Sequence, residues 1–231
     1  MRRDDVSKLL LINKPKSWTS FDVVKKTRGL LKQKYKLKKL KVGHAGTLDP
    51  LASGLLIICS GVKTKEIQMF ERLDKVYIAT IQLGCVTDSF DAETPEKNHK
   101  SYIDISIEDV KKNLLKFMGE QEQIPPIYSA IKMDGERLYK KARRGDKNIK
   151  LKSRTIQIKN LQLLDFQLPF IKISIQCSKG TYIRSLAHDI GRVLGCGAYL
   201  KELIRTQIGD YKLQDAIDIS ELTKFLYEDY L

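Results

Sequence analysis

The sequence is poor in the residues that build metal sites, with three histidines and four cysteines. Cys59, Cys85, Cys177 and Cys196 form no CxxC pair, and by spacing His44, His99 and His188 complete no ligand cluster. The usual structural zinc patterns are therefore absent, and no metal is expected. Cys59 and Cys177 lie in apolar or alternating stretches, where a thiol is a small core residue, so nothing asks for an oxidising compartment. No apolar run is long enough to span a bilayer. The charged start, Met1 to Asp5, leads into Leu9-Leu10-Leu11-Ile12, which stops at Asn13-Lys14-Pro15 without a cleavage-site pattern. That stretch reads as a strand and not as a signal peptide. The expectation is a soluble, cytoplasmic protein with no membrane partner.

Acidic residues are also short, 28 against 42 basic ones, for a formal net charge of +14. With 42% hydrophobic and 30% charged residues the chain is no disordered polyelectrolyte, and 231 residues suffice for one substantial core. The excess is concentrated. Nine Lys or Arg and no acid lie between Lys25 and Lys41, and nine more against the single acid Asp146 lie between Arg137 and Arg154. Two basic blocks in a folded chain point to a polyanionic partner, most simply nucleic acid.

Periodicity places the elements. Lys8 to Asn13 predicts a strand buried on both faces. Thr19-Ser20-Phe21-Asp22 starts a helix running toward Lys34, followed by the basic connector Tyr35 to Lys41. Gly43 to Gly54 reads as a loop, Leu55 to Cys59 as a buried strand and Gly61 to Phe70 as a helix. Lys75 to Leu83 alternates, with Tyr77, Ala79, Ile81 and Leu83 on one face. An acidic loop spans Cys85 to Lys97. Ser106 caps a helix whose apolar positions are Ile107, Val110, Leu114 and Leu115. Glu120 to Asn148 is irregular. Arg154 to Phe166 and Phe170 to Cys177 form a strand pair turning near Pro169, and Ile183 to Leu194 is an amphipathic helix ended by Gly195. Ser220 to Leu226 suits a short terminal helix. Without a βαβ rhythm, the fold class is α+β, with a mixed, largely antiparallel central sheet flanked by helices and loops.

Gly43 to Leu56 is the stretch richest in chemical possibility. Its glycines permit close backbone approach, and Pro50 restricts Asp49 to extended or turn conformations. The stiff loop thus presents a carboxylate beside the His44 imidazole. For an isolated Asp-Pro pair, turn formation is the simpler reading. By position alone Tyr77 reads as a core tyrosine on an alternating strand, and Arg184 as a helix-start salt bridge. A cation there is unfavourable to the helix dipole unless a carboxylate or phosphate lies near.

The segment as a whole, however, resembles the TruB family of tRNA pseudouridine synthases. So do Leu10 to Pro15 with Trp18-Thr19-Ser20, Lys75-Val76-Tyr77 with Thr87 to Ala92, Ile124 to Ala130, and Cys177 to Leu186, in the family's order. Three positions depart from the usual pattern: Ser17 and Thr94 replace glycines, and Ser89 replaces a threonine. The resemblance implies a pseudouridine synthase fold, with Asp49 catalytic and Arg184 paired to it. It also implies that Tyr77 stacks on the target base, that His44 holds the RNA loop open, and that Tyr182 and Leu203 line the nucleotide pocket. Lys14 is expected to be structural or phosphate-side.

Isomerising a uridine breaks a C–N glycosidic bond and forms a C–C bond with no net redox change, so no cofactor is expected. What the reaction needs is a carboxylate near sugar and base and a base out of its stack. The implied partner is the T stem-loop of tRNA, modified at position 55 by a monomer. Residues 1–210 would form the catalytic domain, with 121–150 as an RNA-gripping insertion whose Arg137, Lys140, Lys141, Arg143 and Arg144 meet phosphates. Residues 211–231 would be a short extension without a full PUA domain. Two alternatives stand beside this: a guide-dependent relative acting on ribosomal RNA, and a non-catalytic tRNA chaperone.

Overall fold

The computed structural model describes residues 6–129, 131–133, 135–146 and 151–228. Four residues of the second basic block, 147–150, and Ala130 of the Ile124 motif lie outside the described residues. In chain order the elements are β1 (Leu9–Lys14), α1 (Ser20–Lys34), β2 (Val42–His44), β3 (Ser53–Ser60), α2 (Ile67–Arg72), β4 (Lys75–Leu83), α3 (Ile107–Leu115), β5 (Gly119–Gln123), β6 (Lys132–Met133), β7 (Glu136–Arg137), α4 (Leu138–Arg144), β8 (Arg154–Gln167), β9 (Phe170–Cys177), α5 (Ile183–Leu194), β10 (Ala198–Ile208), β11 (Tyr211–Lys212), β12 (Ile217–Asp218) and α6 (Leu222–Glu228). They fall into two compact units. The first joins the N-terminal 77 residues to the segment from Leu203 onward, and the second runs from Ile78 to Glu202. Strands β4 and β10 each pass from one unit into the other.

In the first unit the strand order is β12, β1, β3, β10, with β2 on β3 and β11 on β10. Pairing is mixed: β1 is antiparallel to β3 and parallel to β12, and β3 is parallel to β10. Strand β3, buried from Gly54 to Ser60, divides two apolar clusters. Leu56 and Ile58 join Leu10, Ile12, Val23, Val24 and Leu31, while Leu55, Ile57 and Cys59 join Ala45, Phe70 and Ile208. Such strands read as continuous apolar runs, which is why Leu55 to Cys59 was legible.

Strand β1 departs from the expectation of burial on both faces. Leu10, Ile12 and Lys14 are buried, while Leu9, Leu11 and Asn13 are half-buried, because its second face only borders the cluster around Ile57. The segment Gly43 to Gly54 is not all loop either. His44 ends β2, paired with Ile58, and Ser53 already belongs to β3. The expected helix at Gly61 to Phe70 is instead a 3₁₀ turn over Gly61–Glu66 followed by α2. Helix α1 starts where its capping box predicts, with Thr19 and Asp22 exchanging side chain to backbone bonds.

In the second unit, β9 is antiparallel to β8 and β8 to β5, and β4 lies beyond β9. Strand β4 alternates as predicted, with Ala79, Ile81 and Leu83 buried. Helix α3 packs against β8 and α5 and buries Val110 and Leu114. Leu115, expected on the same apolar face, is 71% exposed at the last helical position. The irregular stretch after Glu120 resolves into β5, the small β6–β7 hairpin and α4, which ends in a left-handed Gly145. The fold is α+β, with a large mixed, mainly antiparallel sheet and flanking helices.

Candidate active site

The loop from Ala45 to Ala52 is held by four residues, all within the first unit. Ser20, buried at the start of α1, donates its hydroxyl to the Leu48 carbonyl at 3.0 Å and accepts the Leu48 N–H at 2.8 Å. The Ser17 N–H donates to the Pro50 carbonyl at 2.7 Å. Ser17 adopts φ 71°, so the serine at this usual glycine position keeps the left-handed turn despite its Cβ. The wholly buried Lys14 donates to the carbonyls of Trp18 at 2.6 Å and Pro15 at 2.9 Å, and reaches that of Pro50 at 3.5 Å. This is the structural role expected of it. Burial pulls its pKa down to about 8, while the nearby Asp49 carboxylate pulls it back up.

Arg205 provides a further support, one that no sequence motif announced. Its buried guanidinium donates to the carbonyls of Leu55 at 2.8 Å, Gly46 at 3.1 Å and Thr47 at 3.4 Å, stitching β3 to the loop. An arginine among apolar residues on β10 was the available signal, since a buried guanidinium must find acceptors. Asp49 is half-buried, and its carbonyl accepts the Ala52 N–H at 3.1 Å. The backbone of Asp49 therefore does form the turn that an Asp-Pro pair suggests, while its carboxylate lies in the field of Lys14. His44 sits at the head of the loop. Burial first, then Arg205, lowers its pKa, and its buried Nδ1 has no hydrogen-bond partner among the described residues. Both effects favour the neutral imidazole. Tyr77 faces inward on β4 with 8% of its surface exposed, and Leu203 is buried on β10.

Tyr182 and Arg184 come together at the start of α5, in the second unit. The buried Gln123 clamps the Tyr182 backbone, accepting its N–H at 2.8 Å and donating to its carbonyl at 3.0 Å. The Arg154 guanidinium stands 5.1 Å from the centre of the Tyr182 ring. The buried Arg184 donates to the carbonyls of Tyr128 at 2.9 Å and Ser89 at 3.3 Å, and its Nε lies 3.6 Å from the Asp91 carboxylate. This unit thus supplies a carboxylate to a cation at a helix start. Asp91 in turn accepts the Ser89 hydroxyl at 2.6 Å and the Glu93 N–H at 2.9 Å. The two departures from the family pattern here meet each other: the Thr94 hydroxyl accepts the Ser89 N–H and contacts the Ser89 hydroxyl, both at 3.0 Å. The motifs alone do not mark Asp91 or Gln123 as functional, although both lie in or beside them.

Two findings bear on the expectations for charge and metal. Among the described residues of the second basic block, Arg143 and Arg144 already hold acidic partners. Arg143 pairs with Glu93 at 2.5 Å, and Arg144 binds both Glu136 and Asp146. Such exposed pairs are weak and exchangeable for phosphate. A ligand-like cluster does exist, since Cys85, Glu96 and His99 bring one donor atom each within 4.8 Å of one another. Sequence spacing hid it because the loop folds back, with Val86 bridging Lys97. Its carboxylate is engaged by protein donors. The hydroxyl of Tyr199 and the amide of Gln82 donate to Glu96 at 2.6 and 3.1 Å, and burial pushes the Cys85 thiol up to about 11.

Residues 32–183 match the TruB family pseudouridylate synthase N-terminal domain, and residues 184–231 the tRNA pseudouridylate synthase B C-terminal domain. The chain is 49% identical over 218 residues to the tRNA pseudouridine synthase B of Phocaeicola vulgatus, covering 94% of this chain and 92% of that protein. Identity to the Parabacteroides distasonis synthase of the same name is also 49%, over 96% of this chain and 94% of that one. Among solved structures, a Cbf5-Nop10-Gar1 complex contains a chain with TM-score 0.73 and 27% identity. The match covers all of this chain and 59% of that one, so the present chain spans under two-thirds of its length. By the match of both domains, and by its identity to these synthases over nearly their whole length, the chain belongs to the TruB family of pseudouridylate synthases.

Proposed function

We propose that this chain is a tRNA pseudouridine synthase that isomerises the uridine at position 55 of the T loop, with Asp49 as its catalytic residue. The reading rests on the near-full-length identity to proteins named tRNA pseudouridine synthase B. The observation that carries the site is the loop at Asp49. Its neighbours Leu48 and Pro50 are tied down through Ser20, Ser17 and Lys14, which suits a carboxylate that must meet sugar and base at fixed geometry. Lys14 places a cation near Asp49, whose charge in turn raises the Lys14 pKa against burial. In the proposed arrangement Arg184 orients that carboxylate, Tyr77 stacks on the extruded base, Tyr182 and Leu203 line the nucleotide pocket and His44 holds the RNA loop open. Base stacking on an aromatic ring, ~1–3 kcal/mol per base, offsets part of the cost of extrusion. The protein acts without cofactor or metal, in the cytoplasm and as a monomer.

Asp49→Ala is expected to abolish pseudouridine in an unmodified tRNA transcript while leaving RNA binding within a few-fold of wild type. Pseudouridine formation by that variant at a measurable rate rules out the assignment. A guide-dependent reading is favoured by the likeness to the Cbf5-Nop10-Gar1 complex, and activity of the purified chain on tRNA alone argues against it.

A further inference from the structure

Helix α1 belongs to the basic block that the proposed chemistry leaves unused, and it carries a glycine with no structural reason to be there. Glycine is among the weakest formers of a helix interior, yet Gly29 stands well inside α1, exposed. A Cβ built on it would meet nothing within 4 Å. The contrast is Gly191 in α5, where a Cβ would lie 2.1 Å from the Ala198 nitrogen, so that packing demands glycine. Gly29 instead lines an open groove of about 660 Å³, together with Trp18, Lys25, Lys26, Leu30 and Gln33. Trp18 and Leu30 are anchored on the apolar cluster beneath, so these walls are stiff.

The charge of the groove is one-sided. Its one acid, Asp22, is turned to the helix cap, accepting the Thr19 N–H at 2.9 Å and hydroxyl at 2.6 Å. Lys25 and Lys26 are exposed, and Arg28 and Lys32 continue the positive charge along the helix. The groove also adjoins the candidate active loop, for its end residue Ser17 is the one whose N–H binds the Pro50 carbonyl, next to Asp49.

We propose that this groove is a second RNA-binding site, taking a stretch of substrate backbone beyond the isomerised nucleotide. Sugar and phosphate lie against the bare helix at Gly29, Lys25 and Lys26 neutralise phosphates, and Trp18 offers a face to a base or ribose. A side chain at position 29 would hold that backbone off the helix. The proposal rests on the reading that the chain modifies RNA, but its test is separate from that reading.

The substitutions are Gly29→Ala and Gly29→Gln, both of which favour the helix and are neutral in charge. The expected result is a melting temperature equal to or above wild type, together with affinity for unmodified tRNA transcript reduced at least about fivefold. The single-turnover rate at saturating RNA should be unchanged. A merely structural glycine would move stability down, and a lower melting temperature overturns the proposal. Unchanged affinity in a well-folded variant also overturns it, whether the groove then holds a protein, a small molecule or nothing. Lys25→Gln and Lys26→Gln should each make the salt dependence of log Kd shallower by about one unit, and unaltered slopes count against phosphate contact. If wild type makes no pseudouridine, the functional reading fails, while the binding measurements still decide the groove.

Discussion

Lys14 shows how a single residue can be both structural and electrostatic. Its ammonium group replaces water with backbone carbonyls, and burial lowers its pKa from 10.5 to about 8. Between those values the folded chain releases the proton that the unfolded chain keeps. Unfolding then takes up protons, and the stability contributed at Lys14 rises with pH through this window and is lost as pH falls through about 8. Urea unfolding of wild type and Lys14→Met at about pH 7.5 and about pH 9.5 should show wild type gaining ~2 kcal/mol relative to the variant. Parallel stability curves would refute the assignment. At the same scale, Ser89 and Thr94 show two departures from a family pattern acting as one. A hydroxyl where glycine is usual bonds the residue where threonine is usual, so their substitution energies should not be read as independent.

Among the elements, β3 and β10 decide the geometry of the candidate active loop. Their parallel pairing sets Arg205 opposite Gly54, and this close approach lets the guanidinium reach Leu55, Gly46 and Thr47. Gly54 has φ 106°, and a Cβ on it would stand 2.4 Å from the Arg205 carbonyl oxygen. Gly54→Ala should therefore cost more than ~3 kcal/mol, seen as a large fall in melting temperature and loss of soluble protein. Gly145→Ala, left-handed at φ 84° but with open space around it, should cost only ~1 kcal/mol. Equal effects of the two would show that strand approach is not the constraint. Capping is the other element-scale device, and the boxes at Thr19 and Ser106 were legible because their partners lie three residues away.

For the whole molecule the governing quantity is the net charge of +14. Four or more phosphate contacts predict that raising salt from about 50 to about 200 mM weakens tRNA binding by ~100-fold or more, while turnover at saturating RNA changes little. A filter-binding titration showing a nearly flat salt response would remove the electrostatic account of both basic blocks. The internal pairs of Arg143 and Arg144 make the second block the weaker contributor per charge, since each pair must open before it can meet phosphate.

The sequence by itself determined what is local. The alternation of β4, the cap and extent of α1, the buried run of β3, the glycine stop of α5 and the family motifs all depend on residues within a few positions of one another. On those motifs it also named the family, and it offered Asp49 as the candidate catalytic residue. Tertiary structure decided what depends on distance along the chain: Arg205 reaching back 150 positions to Leu55, Lys14 sharing its donors with Pro50, Asp91 facing Arg184, and the thiol, carboxylate and imidazole at Cys85, Glu96 and His99. It also decided that the serine at position 17 keeps a glycine conformation, and that Gly29 looks onto open space. Periodicity reports which way a side chain faces within its own element. Which acceptor a buried cation finds depends on strand order and register, and these exist only once the chain has folded.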